Sequence, residues 1–232
     1  VVSLGMPLNA GNLNNATQML FKNRQEAAMQ LVILLKDYYK QNVVVLAVPR
    51  GGVPVGCILA KKLHAELDLL MTKKIGAPGN PEFAIGAVGP DFILIENDVA
   101  VDHTYLQTES KRIQEQLKSR YALFRGNKSP VPLTGKTVII TDDGIATGRT
   151  ILAALPAIQK KQPAEIVIAT PVCSVQARAR LEPLVDQLIS CADPDPFIGV
   201  GRFYENFEEV TDKQVLTLLQ SFEANSTHGS KN

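Results

Sequence analysis

The sequence predicts an α/β protein: a mostly parallel sheet with helices on both faces, interrupted by an insertion of a β-hairpin and a helix. Three observations carry this. Runs such as Val43–Val48 and Val138–Thr141 are short, apolar and β-branched, without the alternation of a half-solvated strand, as strands covered on both faces read. These runs alternate with stretches of helical spacing. Between Val43 and Met71 a strand, a helix and a strand fit within about thirty residues, a βαβ unit whose crossover should be right-handed. The middle of the chain departs from the pattern, with a Gly- and Pro-rich stretch followed by a long polar segment.

Taken in order, residues 1–20 are polar and irregular and read as an N-terminal arm. Asn23–Tyr39 reads as a helix: Asn23 and Glu26 stand at capping-box spacing, and Ala27, Leu31, Leu34, Leu35 and Tyr38 recur on one face. The strand Val43–Val48 stops at Pro49-Arg50-Gly51-Gly52. A helix is expected from about Pro54 to Leu63, with proline at its first turn, then a strand over Glu66–Met71. Lys73–Pro81 reads as a loop. Phe83–Val88 and Phe92–Ile95 flank the turn Gly89-Pro90-Asp91. Thr104–Tyr121 reads as an amphipathic helix with Leu106, Ile113 and Leu117 inward and its charges on a solvated face. Residues 126–135 read as a linker, and the insertion spans about 73–130.

The α/β pattern resumes with Val138–Thr141 and a helix beginning near Gly148. Pro156 inside that helix should kink or shorten it. A strand over Ile166–Thr170, a helix from Val175 to about Leu184 and a strand over Gln187–Cys191 follow. Residues 191–210 are proline-punctuated, Asp212–Phe222 reads as the last helix, and 223–232 as a disordered tail. The main domain is therefore expected to cover 21–222.

Composition narrows the function. Of 232 residues, 24 are basic and 23 acidic, a formal charge of +1, which gives no electrostatic case for nucleic acid or a membrane surface as partner. No apolar run approaches the roughly 18 residues that span a bilayer. The first twenty residues hold no Lys or Arg and do not read as a signal peptide. Cys57, Cys173 and Cys191 are an odd, dispersed set, poor as a disulfide framework or zinc site. A reduced, cytoplasmic protein with small core cysteines is the simplest expectation.

The segment that carries chemistry is Val138-Ile139-Ile140-Thr141-Asp142-Asp143-Gly144-Ile145-Ala146-Thr147-Gly148-Arg149-Thr150. A buried strand delivers two adjacent carboxylates to its C-terminal end, where α/β sheets bind ligands. Thr147-Gly148-Arg149-Thr150 then opens a helix, whose free N–H groups and threonine hydroxyls suit a phosphate monoester. The carboxylates would repel that phosphate and suit neutral donors beside it, such as vicinal hydroxyls. Together they ask for a phosphorylated sugar.

This segment resembles the phosphoribosyl pyrophosphate (PRPP) loop of type I phosphoribosyltransferases: apolar strand, two acids, then a small residue and Thr-Gly-x-Thr. The string from VLAVPRGGVPVG through KKIGAPGNPEFAIGAV to DDGIATGRT, with Phe21-Lys22-Asn23-Arg24 before it, resembles a bacterial group of phosphoribosyltransferases over roughly residues 20–222. The resemblance implies a phosphoribosyltransferase-type sheet with a small C-terminal hood. It implies that Asp142 and Asp143 hold the ribose hydroxyls and that Ala146, Thr147, Gly148, Arg149 and Thr150 cradle the 5′-phosphate, with the Arg149 side chain outward. It implies that Arg50, Gly51 and Gly52 form a pyrophosphate loop, often marked by a non-proline cis peptide. Lys73 and Lys74 would belong to a mobile catalytic loop that closes over PRPP. Mg²⁺ would bridge ligand oxygens, mostly through waters rather than side chains.

Asp193–Phe207 looks loosely like the base-binding end of the purine enzymes, with Phe197 placed to stack on an aromatic base; Phe197, Phe203 and Phe207 serve equally well as the core of a small subdomain. Ala146 stands where the 6-oxopurine enzymes carry an acid, which leaves the acceptor open. The reading is transfer of a 5-phosphoribosyl group from PRPP to a nitrogen acceptor with release of pyrophosphate, in a chain compatible with a homodimer. The alternative is a non-catalytic PRPP or nucleotide sensor on the same fold. An Asp-x-Asp phosphatase, a receiver domain and a GxGxxG dinucleotide domain fit the motifs poorly.

Overall fold

A computed structural model of the chain describes residues 19–95 and 101–228. Most of the expected N-terminal arm, residues 1–18, lies outside the described residues, as do 96–100 and 229–232.

The described elements follow the expected alternation. Helix α1 (Arg24–Leu34) is capped by Asn23, whose side chain accepts the Glu26 N–H, and passes into a single 3-10 turn, Lys36–Tyr38. Strand β1 (Val43–Ala47), helix α2 (Gly52–Leu63) and strand β2 (Glu66–Leu69) form the βαβ unit. The insertion follows: β3 (Lys73–Ala77), β4 (Asn80–Val88), β5 (Ile93–Ile95) and the long helix α3 (His103–Arg125). Then come β6 (Thr137–Thr141), α4 (Arg149–Lys160), β7 (Glu165–Val172), α5 (Val175–Leu181), β8 (Gln187–Ala192) and α6 (Asp212–His228).

The central sheet has five parallel strands in the order β2-β1-β6-β7-β8. Alternate residues feed two cores. Val43, Val45, Ala47, Ile139 and Val167 pack under α1, α2 and α6, while Val44, Leu46, Val138, Ile140, Ile166 and Ile168 pack under α4 and α5. This two-sided burial is why the strands read as unbroken apolar runs. The chain steps from β1 to β2 on one side and from β6 to β7 and β8 on the other. The crevice between the C-terminal ends of β1 and β6 is thus the switch point where such sheets bind ligands.

Four expectations are corrected. Lys73–Pro81 is not a loop: β3 and β4 pair antiparallel around a turn at Pro78-Gly79, and β5 completes a three-stranded sheet. Ile75 and Ile85 point inward from the two strands and are fully buried against the body that holds Leu106, Ile113 and Leu117 of α3. That burial overrides the local Gly and Pro content. Of the kink or shortening expected at Pro156, the shortening does not occur: α4 continues to Lys160. Pro156 stands on the exposed side of the helix, where the carbonyl deprived of its N–H partner can turn to water. Helix α6 reaches His228, so the tail expected from residue 223 is helical as far as 228. Helix α1 is also shorter than Asn23–Tyr39, changing pitch after Leu34.

The insertion is tied to the sheet by a buried carboxylate. Asp68 of β2 accepts from the Tyr121 hydroxyl and the Val131 N–H, each at 2.8 Å, and Arg125 approaches at 3.5 Å. A buried acid with this many partners is a satisfied one. It fixes α3 and the following linker against the end of β2.

The hood assembles from both ends of the described chain. The Leu20 and Phe21 N–H groups donate to the Phe203 carbonyl, and the Glu205 and Asn206 N–H groups to the carbonyls of Phe21 and Lys22. Phe21, Phe203 and Tyr204 form a small separate core, with Phe197, Val200 and Phe207 packed on it. No described helix is long and apolar enough to cross a membrane. All three cysteines are free, and burial pushes the Cys57 thiol up to about 12 and those of Cys173 and Cys191 up to about 11. These are packing residues, far from thiolate chemistry at neutral pH.

Candidate functional site

Two loops meet at the switch point. The Pro49-Arg50-Gly51-Gly52 loop leaves β1, and Asp142-Asp143 leaves the neighbouring β6. Their approach is close enough to demand glycine. A Cβ on Gly51 would fall 2.2 Å from Asp143 Oδ2, and one on Gly52 2.8 Å from the Thr141 carbonyl oxygen. The Pro49–Arg50 peptide is cis, the bond the family resemblance implied.

The two carboxyl groups differ in their surroundings. Asp142 is half-buried, and its Oδ1 accepts the Asp143 N–H at 2.8 Å. Burial, and then the charge of Asp143, push the Asp142 carboxyl well above the usual carboxylate range. Asp143 is buried, and burial raises it too, but Arg24 Nε donates to its Oδ2 at 2.8 Å and opposes the rise. The Arg24 guanidinium also lies 3.9 Å from the centre of the Phe207 ring and donates to the Glu208 carbonyl. The Tyr204 hydroxyl donates to the Asp143 carbonyl oxygen at 2.6 Å. The first helix and the hood therefore hold the acidic pair from behind.

Beyond the pair, Ala146, Thr147, Arg149 and Thr150 are exposed around a buried Gly148. Gly148 is the residue before α4 and has φ +69°, a conformation that favours glycine. The loop is braced from β7 and α5. Ile145 forms a parallel bridge with Cys173, and the Ser174 hydroxyl donates to the Ala146 carbonyl at 2.6 Å. The Ala146 carbonyl is thus held back, and the turn leads into the first turn of α4, whose N–H groups have no partner within the helix. The Arg149 side chain is on the exposed side.

A cavity of about 670 Å³ adjoins this turn. It is lined by Pro49 and Arg50, by Leu70 to Lys73, by Gln116, Leu117 and Arg120 of α3, and by Thr150. The structure thus brings Arg50, Lys73 and Thr150 to one space. Lys74 is the next residue of strand β3 and is not part of this lining, since neighbours on a strand face opposite ways. Arg50 is engaged by two acids: its guanidinium pairs with Glu209 and lies 3.6 Å from Asp212. Phe197 is half-buried in the hood, its ring 5.2 Å from that of Phe203 and tilted by 50°.

Ser174 and Arg120 carry no local sequence signal, and Arg24 is legible only as the end of the Phe21–Arg24 stretch, without its role. Arg24 lies 119 residues from its partner Asp143. Ser174 reads as an ordinary helix cap, which it also is for α5. Arg120 is indistinguishable in sequence from the other charges of α3.

The comparisons with known proteins agree with this geometry. Residues 16–201 match the family model described as a phosphoribosyl transferase domain. The chain belongs to the phosphoribosyltransferase family. A Mycobacterium tuberculosis protein that itself carries a provisional phosphoribosyl transferase name is 38% identical over 206 residues, 86% of this chain and 46% of that protein. The chain spans about half the length of the curated relatives it matches in this way. A Brevibacillus brevis protein named bifunctional protein PyrR is 46% identical over a shorter stretch of 65 residues, 28% of this chain and 36% of that protein. Among solved structures, the phosphoribosyltransferase fold seen here superposes on TT1426 from Thermus thermophilus with a TM-score of 0.80. That pair is 36% identical, covering 88% of this chain and 99% of the other.

Proposed function

We propose that this phosphoribosyltransferase-family chain transfers the 5-phosphoribosyl group from PRPP to a nitrogen acceptor, releasing pyrophosphate. The observation that carries this is the meeting of three chemistries at one switch point. A phosphate-type helix start, a pair of carboxyls and a glycine-rich basic loop fit the three polar parts of PRPP in their covalent order. The 5′-phosphate takes the backbone of Ala146–Thr150 with the hydroxyls of Thr147 and Thr150. The ribose 2- and 3-hydroxyls donate to Asp142 and Asp143. The diphosphate meets Arg50, the Gly51 and Gly52 backbone, and Lys73.

In the reaction the bond from ribose C1 to the pyrophosphate oxygen breaks, a nitrogen lone pair of the acceptor forms the new bond, and the proton that nitrogen carried leaves to water. The diphosphate leaves with the bonding electrons, so cations around it stabilise the developing charge. No side chain at the site is assigned as a general base. Holding both reactants in line supplies the remainder of the acceleration. The oxygen donors that fit Mg²⁺ are the two carboxyls beside the ribose position, which would hold it together with ligand oxygens and water. Magnesium bound there would neutralise the leaving diphosphate. The hood, with Phe197, Phe203 and Phe207, is the proposed acceptor side, and Phe197 the proposed stacking surface.

Titration calorimetry tests the donor half of the reading. PRPP with Mg²⁺ should bind at least about tenfold more tightly than ribose 5-phosphate, because it engages both loops rather than one. Absence of any PRPP binding would overturn the reading.

A further inference from the structure

We infer that Arg120 of α3 is a further diphosphate-binding residue, which extends the functional reading above to an element that reading does not use. The cavity beside the phosphate turn has Arg50 on the loop after β1, Lys73 on the hairpin and Arg120 on α3. Three cations from three separate elements thus face one space. Like charges brought together in this way favour a compact polyanion between them. A guanidinium pairs with phosphate oxygens through two parallel N–H donors. Gln116, one helical turn before Arg120, adds an amide to the same wall.

The pairing of these arginines points the same way. One carboxylate, that of Asp212, accepts from Arg120 at 3.0 Å and stands 3.6 Å from Arg50, while Glu209 pairs with Arg50 from the other side. The Asp212 carboxylate thus holds the two guanidiniums near one another from outside the cavity, whose lining includes both arginines but not Asp212. Arg120 is also held in place beforehand. The adjacent Tyr121 donates to buried Asp68, and Arg125 reaches both Asp68 and Glu223. Anchoring α3 through its inward face reduces the ordering entropy that binding must overcome. The insertion is then part of the binding wall rather than a surface addition.

Calorimetry with inorganic pyrophosphate and Mg²⁺, and separately with ribose 5-phosphate, tests this on the whole chain. Arg120→Ala should weaken pyrophosphate binding by about tenfold or more and leave ribose 5-phosphate binding within about twofold. Arg120→Lys should recover part of the loss. Lys118→Ala, which removes an exposed charge from the same helix outside the cavity, should leave both affinities unchanged. Pyrophosphate binding by Arg120→Ala equal to the parent would overturn the inference. So would a parallel loss of ribose 5-phosphate, which would mean a structural role. If the parent binds PRPP and only the Arg120 effect is missing, the functional reading stands and the role of Arg120 falls. If the parent binds neither PRPP nor ribose 5-phosphate, both fall.

Discussion

The double variant Asp142→Asn/Asp143→Asn is expected to lose PRPP binding by about a hundredfold or more while still melting cooperatively. Each ribose hydroxyl donating to a carboxylate makes a charge-assisted hydrogen bond worth about 1.5–3 kcal/mol, and losing the charge at both weakens both. Two such losses amount to at least about two decades in affinity. The fold should survive because asparagine keeps the shape and an acceptor oxygen for the Asp143 N–H and for Arg24 Nε. Calorimetry and a thermal melt decide it, and undiminished affinity would remove the diol role.

The single variants should separate. Asp142 carries a carboxyl that burial and Asp143 push upward. Between the ordinary carboxylate range and that raised value the folded chain holds more protons than the unfolded one. The contribution of Asp142 to stability therefore falls as pH rises through that interval. Asp142→Asn should raise the melting temperature at neutral pH and flatten its fall from about pH 4 upward. Asp143→Asn should raise it less, because the Arg24 guanidinium offsets part of the burial cost of the Asp143 carboxylate. A site that is more stable without one of its acids is one kept for binding rather than for folding.

Gly52→Ala is expected to be the most damaging single methyl addition in the binding loops. The new Cβ would stand 2.8 Å from the Thr141 carbonyl oxygen and 2.9 Å from Asp142 Cα. Both are backbone atoms at the C-terminal end of β6, so the loop rather than the sheet must shift. Overpacking of this kind costs about 1–3 kcal/mol, which in a chain of this size lowers the melting temperature by roughly 2–10 °C. PRPP affinity should fall as well, because the displaced loop carries Arg50. Gly199→Ala is the control, since a Cβ there meets nothing within 4 Å and its φ of 162° is extended. It should stay within about 0.5 kcal/mol of the parent. Equal melting temperatures for the two variants would mean that the close approach of the loops is relaxed in solution.

What is legible in the sequence is what short-range pattern encodes. Five apolar runs correspond to the five parallel strands, and the Asp142-to-Thr150 segment lies within one strand end, turn and helix start. The hairpin at Lys73–Val88 is not legible as two strands. Its evidence is the inward pair Ile75 and Ile85, whose burial depends on α3, well further along the chain. The bracing of Asp143 by Arg24 and Tyr204 is long-range for the same reason. Arg120 reads in sequence as part of a solvated face, because only packing decides which turn of a polar helix looks into a cavity. Phe197 reads both as a base-stacking residue and as a hood core residue. The structure describes its contact with Phe203, while stacking on a base is a property of the bound acceptor.

PRPP should be not only held at this site but consumed. Phosphorus NMR of the chain with PRPP, Mg²⁺ and each of a panel of nucleobases and other nitrogen acceptors tests it most directly. Free pyrophosphate should grow together with a new 5′-phosphate monoester resonance, dependent on one acceptor and absent from Asp142→Asn/Asp143→Asn. PRPP that is bound yet persists with every acceptor would contradict the transferase reading and leave a PRPP-binding regulatory protein on the same fold.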